Sequence, residues 1–263
     1  MTGGEKMENV LCSIEGETAY IQFNRPKSMN ALNTELMKEF YSCIKDISGN
    51  GDVKMVVLSG SGSVFSAGGD IKEMLSEADE EQFNSIMDLI SDITLAFYSM
   101  PKLTIAAIHG AAAGLGLSIA LAADYVMCET DSKVAMNFIG IGLIPDGGGH
   151  FMLERRLGPV KAKKVIWDGK VMSGTEAAEM GLADRAVASG AMQEEVAYLI
   201  EELSQKPLQA MIKTKKIMAD LNRPQLIKTL ELEKHGQLKM RETNDHQEGI
   251  KAFLEKRKPV FNK

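Results

Sequence analysis

Residues Leu103–Ala123 read LTIAAIHGAAAGLGLSIALAA, a run of 21 residues without a charged side chain. About 20 uncharged residues would span a bilayer as a helix, but the eight alanines and three glycines of this run insert weakly. Each mid-helix glycine would also cost about 1 kcal/mol. We therefore predict a buried strand at Leu103–Ile108, a tight turn at Gly110–Gly114 and a buried helix at Gly116–Ala123.

The start of this predicted helix has no side-chain cap. Gly114, Leu115 and Gly116 carry no side-chain oxygen for the N–H groups of the first turn. Those donors must be satisfied by water, by other backbone or by a ligand. Because a helix N-terminus is also the positive end of the helix dipole, the position favours a developing negative charge. Close packing of a helix on a sheet explains the same glycines without any chemistry.

The composition fits a soluble globular protein of 263 residues with 44% hydrophobic and 25% charged residues. A net charge of −6 argues against a nucleic-acid partner. The three cysteines are widely spaced, which is typical of a reducing compartment. No apolar signal segment is visible at the N-terminus, so we expect a cytoplasmic protein without membrane contact. The sequence shows no metal-ligand spacing and no dinucleotide or Walker fingerprint, so no metal or redox cofactor is expected.

Strands and helices alternate through residue 190, and the chain then reads as helices with breaks at Pro207 and Pro224. This change predicts a core at residues 1–200 and a C-terminal helical region at 201–263. The long helices of that region have apolar faces, which predict packing on a partner subunit or back on the core. Earlier in the chain we predict a long helix from Asp79 to Ser99 and a short strand at Val134–Phe138.

Two further glycine turns share the design of the first. VFSAGGDIKEML, at Val64–Leu75, is predicted as the end of a strand, a small-residue turn and a helix. In Ile139–Gly158 a Pro-Asp-Gly-Gly-Gly sequence leads into a helix from about His150. The chain therefore has three places at which a glycine turn precedes a helix.

Four segments together resemble the crotonase superfamily, the enoyl-CoA hydratase/isomerase fold, in the order that the family has them. They are NRPKSMNALN from Asn24, FSAGGDIKEM from Phe65, IHGAAAGLGLSIALAADY from Ile108, and GLIPDGGG from Gly142 followed by RRLG. The closing AFLEKRKPVF is also similar. The resemblance implies an α/β fold, a spiral of ββα units with a C-terminal helical trimerisation region, assembled as a homotrimer or a dimer of trimers.

The resemblance also implies an acyl-CoA thioester as substrate and an oxyanion hole made of two backbone N–H groups. On this sequence they match Ala67 and Leu115, each in a glycine turn. Together they would hold the thioester oxygen as it becomes an enolate, and losing one such donor costs about 10²–10³ in rate.

Further residues match the family's substrate and CoA contacts. The resemblance places the Arg25–Ala31 loop and the turn after Gly68 beside CoA, with Lys27 near phosphate and Ile71 near adenine. For Lys27 and Lys256 a solvated surface lysine explains the sequence equally well. The predicted contacts are Lys27, Met29, Gly69, Asp70, Ile71, Ser118, Phe138 and Lys256.

The sequence departs from the family hydratases at both catalytic glutamates. Ser118 and Phe138 stand at the matching positions, and neither is an acid or base near neutral pH. Hydration needs one group for the water and another for the α-carbon proton. Efficient two-glutamate hydration is therefore not expected.

One carboxylate remains, because Asp146 matches the catalytic acid of several enoyl-CoA isomerases of the superfamily, including the ring-rearranging isomerase of phenylacetate breakdown. One carboxylate suffices to move a proton between the α and γ carbons, and apolar neighbours would raise its pKa toward neutrality. The alternative is a helix cap, with the side chain of Asp146 accepting from Gly148 or Gly149 N–H.

We predict an enoyl-CoA isomerase in which Ala67 and Leu115 hold the enolate oxygen and Asp146 moves the proton. Two alternatives remain open. One is a hydratase, or another enolate enzyme, using Asp146 and water. The other is an acyl-CoA-binding or structural subunit with little turnover.

Overall fold

The computed structural model describes residues 8–76 and 80–263. Its main sheet has six strands in the order β1-β2-β3-β4-β6-β9. The first pair is antiparallel and the remaining neighbours are parallel. The strands are β1 (Val10–Glu15), β2 (Thr18–Phe23), β3 (Met55–Gly60), β4 (Leu103–Ile108), β6 (Tyr125–Glu129) and β9 (Arg185–Val187). The central strand β4 is buried along its whole length, as its uncharged and largely apolar sequence predicted.

A smaller sheet of three strands lies at the edge of the glycine turn. It contains β5 (Ala111–Ala113), β7 (Lys133–Ala135) and β8 (Met172–Ser173). The prediction of a tight turn at Gly110–Gly114 is therefore wrong, because three alanines inside it pair in parallel with β7. The predicted strand at Val134–Phe138 is shorter, since a 3₁₀ turn begins at Phe138.

Helices cover the main sheet and complete the core. Their bounds in the first part of the chain are α1 (Thr34–Gly49), α2 (Ile71–Ser76), α3 (Glu80–Tyr98), α4 (Gly114–Leu121), α5 (Gly149–Asp168) and α6 (Gly174–Glu179). The predicted helix start at Asp79 lies outside the described residues. One helical segment, α5, bends at Gly158, whose backbone is not helical. On the α1 side of the sheet, the rings of Phe23, Phe40 and Phe65 pack edge to face.

The C-terminal region is helical, as predicted, with α7 (Met192–Ser204), α8 (Leu208–Arg241) and α9 (Asn244–Leu254). The predicted break at Pro224 is wrong, because this proline lies inside the 34 residues of α8. Proline removes one helical hydrogen bond, but Leu226 and Leu230 just after it are buried in the core. Among the described residues, no helix is long and apolar enough to cross a membrane.

Helix α8 returns onto the core of its own chain, one of the two outcomes that its apolar face predicted. Lys215 Nζ donates to Asp124 Oδ2 at 2.7 Å and to the Lys102 carbonyl at 2.9 Å. These partners lie at the two ends of the β4–α4 segment. The contact therefore fixes the first half of α8 against the central strand. The division of the chain at residue 200 stays a prediction.

Gly16 and Gly110 have the same left-handed backbone conformation but different surroundings. Comparing alanine substitutions at the two positions therefore separates the conformational cost of a side chain from its steric cost. Gly16 has a φ of +58° and open space around it, whereas Gly110 has a φ of +60° and lies against Ser63. We expect Gly16→Ala to lower the free energy of unfolding by about 1–2 kcal/mol, the cost of a left-handed residue. Gly110→Ala should lower it further, because the new methyl group would overlap the Ser63 carbonyl oxygen. Urea unfolding measures both, and equal losses would contradict the packing at Gly110.

Candidate active site

The first turn of α4 is the centre of the candidate site. The helix begins at Gly114, two residues earlier than predicted, and its cap residue Ala113 provides no side-chain hydrogen bond. Leu115 N–H lies in the first turn, where an α-helix supplies no internal acceptor. The helix is buried throughout, so its positive end faces the interior of the protein rather than bulk water.

The structure contradicts two premises of the prediction for Ala67, a free N–H group and a helix start at this residue. Its N–H donates to the Met29 carbonyl oxygen at 2.9 Å, so this group already has an acceptor. Nor does Ala67 begin a helix, because α2 starts four residues later at Ile71. There Asp70 Oδ1 accepts from Lys72 N at 3.2 Å. Of these two turns, it is the one before α4 that leads into a helix without a side-chain cap.

Gly69 is the better donor in this turn. Leu32 N donates to the Gly68 carbonyl, and Asp70 N donates to the Leu32 carbonyl. Leu32 and Gly69 thus form an isolated parallel β-bridge. Because the hydrogen-bonding groups of a strand point alternately to its two sides, the N–H of Gly69 points away from Leu32. It finds no hydrogen-bond acceptor within residues 8–76 and 80–263. Gly69 is also exposed, whereas Ser66 and Gly68 are buried.

Close glycine packing joins this turn to α4. A Cβ on Gly68 would lie 2.8 Å from the Ala113 oxygen and 3.6 Å from Leu115 N. Its φ of +96° is also a conformation that other residues rarely adopt. The main chain at Gly68 therefore lies directly against the start of α4, which brings the N–H groups of Gly69 and Leu115 to the same part of the molecule.

Asp146 lies on the other side of the same helix start. A Cβ on its neighbour Gly147 would lie 2.6 Å from Leu115 Cδ1 and 3.3 Å from Ser118 Cβ. The Asp146 residue is only 8% exposed, and its Oδ1 atom is buried without a hydrogen-bond partner. Burial, together with the nearby carboxyl of Glu233, raises the pKa of Asp146 to about 8. Such a group can both accept and donate a proton near neutral pH.

The helix-cap alternative for Asp146 does not hold for its side chain. Gly149 N donates to the main-chain oxygen of Asp146 at 3.0 Å, while Gly148 N donates to Glu233 Oε2 at 2.7 Å. The side chain of Asp146 instead receives Gln237 Nε2–H at Oδ2, at 3.1 Å. Its carboxyl is therefore not engaged in capping α5.

Glu233 and Gln237 were not found by sequence reasoning, although both are buried at the site. They come from α8, more than 80 residues after Asp146. A signal existed in their spacing, because Leu226, Leu230, Glu233 and Gln237 follow the helical period along the buried face of α8. Two polar residues on an otherwise apolar face indicate polar partners in the core.

The predicted ligands Ser118 and Phe138 have different surroundings. Ser118 is fully buried, and its Oγ contacts the Gly114 carbonyl at 3.4 Å and Met136 Sδ at 3.9 Å. It packs under the Asp146 turn, as a small residue in a buried helix would. Phe138 is half-buried, and its ring edge would be 3.6 Å from a Cβ on Gly114. It thus forms an apolar wall beside the start of α4.

The predicted CoA contacts lie near the Gly69 turn, with one exception. Lys27 and Met29 are exposed, and Ile71 is half-buried at the start of α2. Asp70 is paired with Arg25 at 3.0 Å, so its carboxyl fixes the loop to the turn. Lys256 is exposed after α9, and no hydrogen bond or ion pair links its side chain to the described site residues.

Fold and site define a class of protein. Unpaired backbone donors at the start of α4 and in the turn packed against it lie beside a buried carboxyl whose pKa is raised to about 8. This arrangement suits a reaction in which a carbonyl oxygen gains charge while a proton moves. A family model described as enoyl-CoA hydratase/isomerase matches residues 13–263. The chain therefore belongs to the enoyl-CoA hydratase/isomerase family and has the crotonase fold.

Individual relatives agree on the family and differ in the reaction named. YhaR of Bacillus subtilis (strain 168), named as a hydratase/isomerase, is 52% identical over 97% of this chain and 99% of its own. A trans-2-decenoyl-[acyl-carrier-protein] isomerase of Streptococcus mutans is 27% identical over 97% of this chain and 98% of its own. The crystal structure of an enoyl-CoA hydratase from Mycobacterium avium subsp. paratuberculosis K-10 superposes with a TM-score of 0.87. The two sequences are 27% identical, and the match covers 97% of this chain and 99% of the hydratase.

Substitutions at Ser118 test whether this position has room for a hydratase glutamate. Ser118→Ala should lower the free energy of unfolding by about 1 kcal/mol or less, because only weak hydrogen bonds are lost. Ser118→Glu should lower it by about 3–5 kcal/mol, the cost of an uncompensated buried charge. Urea unfolding and a hydration assay with 2-enoyl-CoA measure both effects. A stable Ser118→Glu protein with new hydratase activity would contradict the packing under the Asp146 turn.

Proposed function

We propose that this protein is an enoyl-CoA isomerase that moves a double bond through an enolate held at the start of α4. The observation that carries the proposal is the buried carboxyl of Asp146, with a pKa of about 8, in a turn that packs against Leu115. The positions of both hydratase glutamates are occupied by Ser118 and Phe138. One group that both accepts and donates suits isomerisation better than hydration.

In the proposed reaction the thioester oxygen binds at Leu115 N–H and Gly69 N–H. Asp146 removes a proton from C2 of a 3-enoyl thioester, and the electrons move through C1 onto the oxygen, giving a dienolate. The same proton then returns to C4, and the double bond lies between C2 and C3. The product is an isomer of the substrate with no atom gained or lost, and Asp146 is again deprotonated at the end of the reaction. No metal or redox group takes part.

Gly69 replaces Ala67 in this proposal because its N–H has no acceptor and belongs to the turn that packs on Leu115. Both proposed donors are main-chain groups, so their position depends on backbone packing rather than on side-chain chemistry. Preorganised donors of this kind stabilise the enolate without reorganising during the reaction.

The surface beside Gly69 supports binding of a nucleotide-bearing carrier. Lys27 is exposed for a phosphate, Met29 and Ile71 flank the turn, and the Arg25–Asp70 pair holds the loop in place. We propose CoA as the carrier, with Lys256 contributing from another subunit of a homotrimer or a dimer of trimers. A cytoplasmic location belongs to the same proposal.

Asp146→Asn tests the assigned acid and base. The substitution keeps the shape of the side chain but removes its proton exchange, so kcat for conversion of 3-enoyl-CoA to 2-enoyl-CoA should fall by about 10²–10⁴. Acyl-CoA binding, measured by calorimetry, should remain. Absorbance of the conjugated 2-enoyl thioester follows the reaction.

Three outcomes of that experiment would go against the proposal. Equal isomerase activity in Asp146→Asn would remove the assigned role. If the unmodified protein forms mainly 3-hydroxyacyl-CoA from 2-enoyl-CoA, hydration with Asp146 and water is the function. Thioester binding without turnover of either substrate would favour the acyl-CoA-binding subunit.

Amide-to-ester replacement tests the two candidate donors in the Gly69 turn. Introducing glycolic acid at position 69 removes only that N–H, so kcat should fall by about 10²–10³. The matched control is lactic acid at position 67, which removes the donor to the Met29 oxygen and should affect folding stability more than kcat. The reverse pattern, with loss of kcat only at position 67, would restore Ala67 as the donor.

A further inference from the structure

Glu233 of α8 is a buried carboxylate at the site for which the proposed reaction has no direct use. It is 2% exposed and makes three hydrogen bonds. Gly148 N donates to Oε2 at 2.7 Å, His150 N donates to Oε1 at 3.0 Å, and His150 Nδ1 contacts Oε1 at 2.8 Å. Two of these donors are N–H groups at the start of α5, where the helix dipole favours a negative charge.

Asp146 has an opposite environment, although it lies only a few residues from the same helix start. Its Oδ2 receives a single hydrogen bond from Gln237, and that amide also donates to the Ile144 carbonyl at 2.7 Å. Its Oδ1 atom is buried without a donor. When two buried carboxyl groups are close, the one with fewer donors takes the proton.

We propose that Glu233 is a positioning residue that keeps its charge, holds the glycine turn before α5 and thereby places the one proton of this carboxyl pair on Asp146. The inference rests on the proposed function for its catalytic meaning, but the protonation states it assigns are independent of turnover. It gives α8 a role in the chemistry in addition to its role in packing.

The charged groups around Asp146 support this assignment. Glu233 is the charged side chain that acts on it, from α8. Helix α5 contributes His150, which faces Glu233 rather than Asp146. The turn that carries Asp146 meets α3 at Ile90 and Thr94 and α4 at Leu115 and Ser118, all uncharged. The repulsion that Asp146 experiences therefore comes from α8.

The consequence for the reaction is a stronger base. A carboxylate that ionises only near pH 8 binds a carbon-derived proton more tightly than an ordinary aspartate does. At pH 7 about one tenth of the free protein would hold the base form. Because catalysis begins with that form, kcat/KM should rise about tenfold per pH unit below pH 8 and level off above it.

Carbon NMR of protein labelled at the aspartate and glutamate carboxyl carbons tests the proposal without substrate. The signal of Asp146 is identified by its absence in Asp146→Asn. We expect it to titrate with a midpoint near 8, while the signal of Glu233, identified by its absence in Glu233→Gln, does not take up the proton in that range. A Glu233 signal that carries the proton in place of Asp146, or an Asp146 signal ionised at pH 6.5, would overturn the proposal in the unmodified protein.

Variants of α8 sharpen the test because they predict shifts of opposite sign. Glu233→Gln removes the repelling charge, so the Asp146 midpoint and the pH limb of kcat/KM should both move down. Gln237→Met removes the hydrogen bond that lowers the pKa of Asp146, so both should move up. Glu231→Gln, exposed on the same helix, is the control and should change neither. Glu233→Asp, which keeps the charge, should retain a raised midpoint.

The outcomes separate this inference from the proposed function. An unchanged or raised midpoint in folded Glu233→Gln overturns the role of Glu233. If Glu233→Gln does not fold, the protonation states of the unmodified protein still decide the question. If the midpoints shift as expected but Asp146→Asn keeps full isomerase activity, the carboxyl pair stands and the proposed function fails.

Discussion

The site depends on how closely main chain can approach the start of α4. Gly68 on one side and Gly147 on the other lie where a Cβ would come within 2.8 Å of Ala113 oxygen and 2.6 Å of Leu115 Cδ1. Because both have positive φ, glycine also satisfies the backbone conformation at these positions. The absence of side chains thus brings the Gly69 turn and the Asp146 turn to the same uncapped helix end.

Two kinds of electrostatic interaction act around that helix end, one from backbone N–H groups and one from carboxyl groups. Fixed N–H groups suit a charge that develops on an oxygen, and their value increases in a buried site with little water. The carboxyl groups of Asp146 and Glu233 differ in their hydrogen-bond donors, one with a single amide and the other with the start of α5. Burial raises the pKa of Asp146, whereas the N–H donors at the start of α5 favour the charged form of Glu233.

Sequence reasoning succeeded where local patterns determine the structure. A run of six uncharged residues, five of them apolar, predicted β4, and the glycine turn before α4 predicted an uncapped helix. It failed where a distant partner decides the outcome. Ala111–Ala113 becomes a strand through pairing with β7, and Ala67 N–H is taken by the Met29 carbonyl of a loop more than 30 residues earlier. Glu233 lies far along the chain from Asp146. The sequence signal for it was the presence of polar residues on the otherwise apolar face of α8.

The central claim is that one buried carboxyl carries the same proton from C2 to C4. Isomerisation of a 3-enoyl-CoA in deuterium oxide tests it most directly, because a proton held by buried Asp146 exchanges slowly with solvent during a single turnover. Mass spectrometry and proton NMR of the 2-enoyl-CoA product should show the original hydrogen retained at C4 in a substantial fraction of molecules. Solvent deuterium at C4 in every product molecule, or a 3-hydroxyacyl product in place of the isomer, would contradict the account.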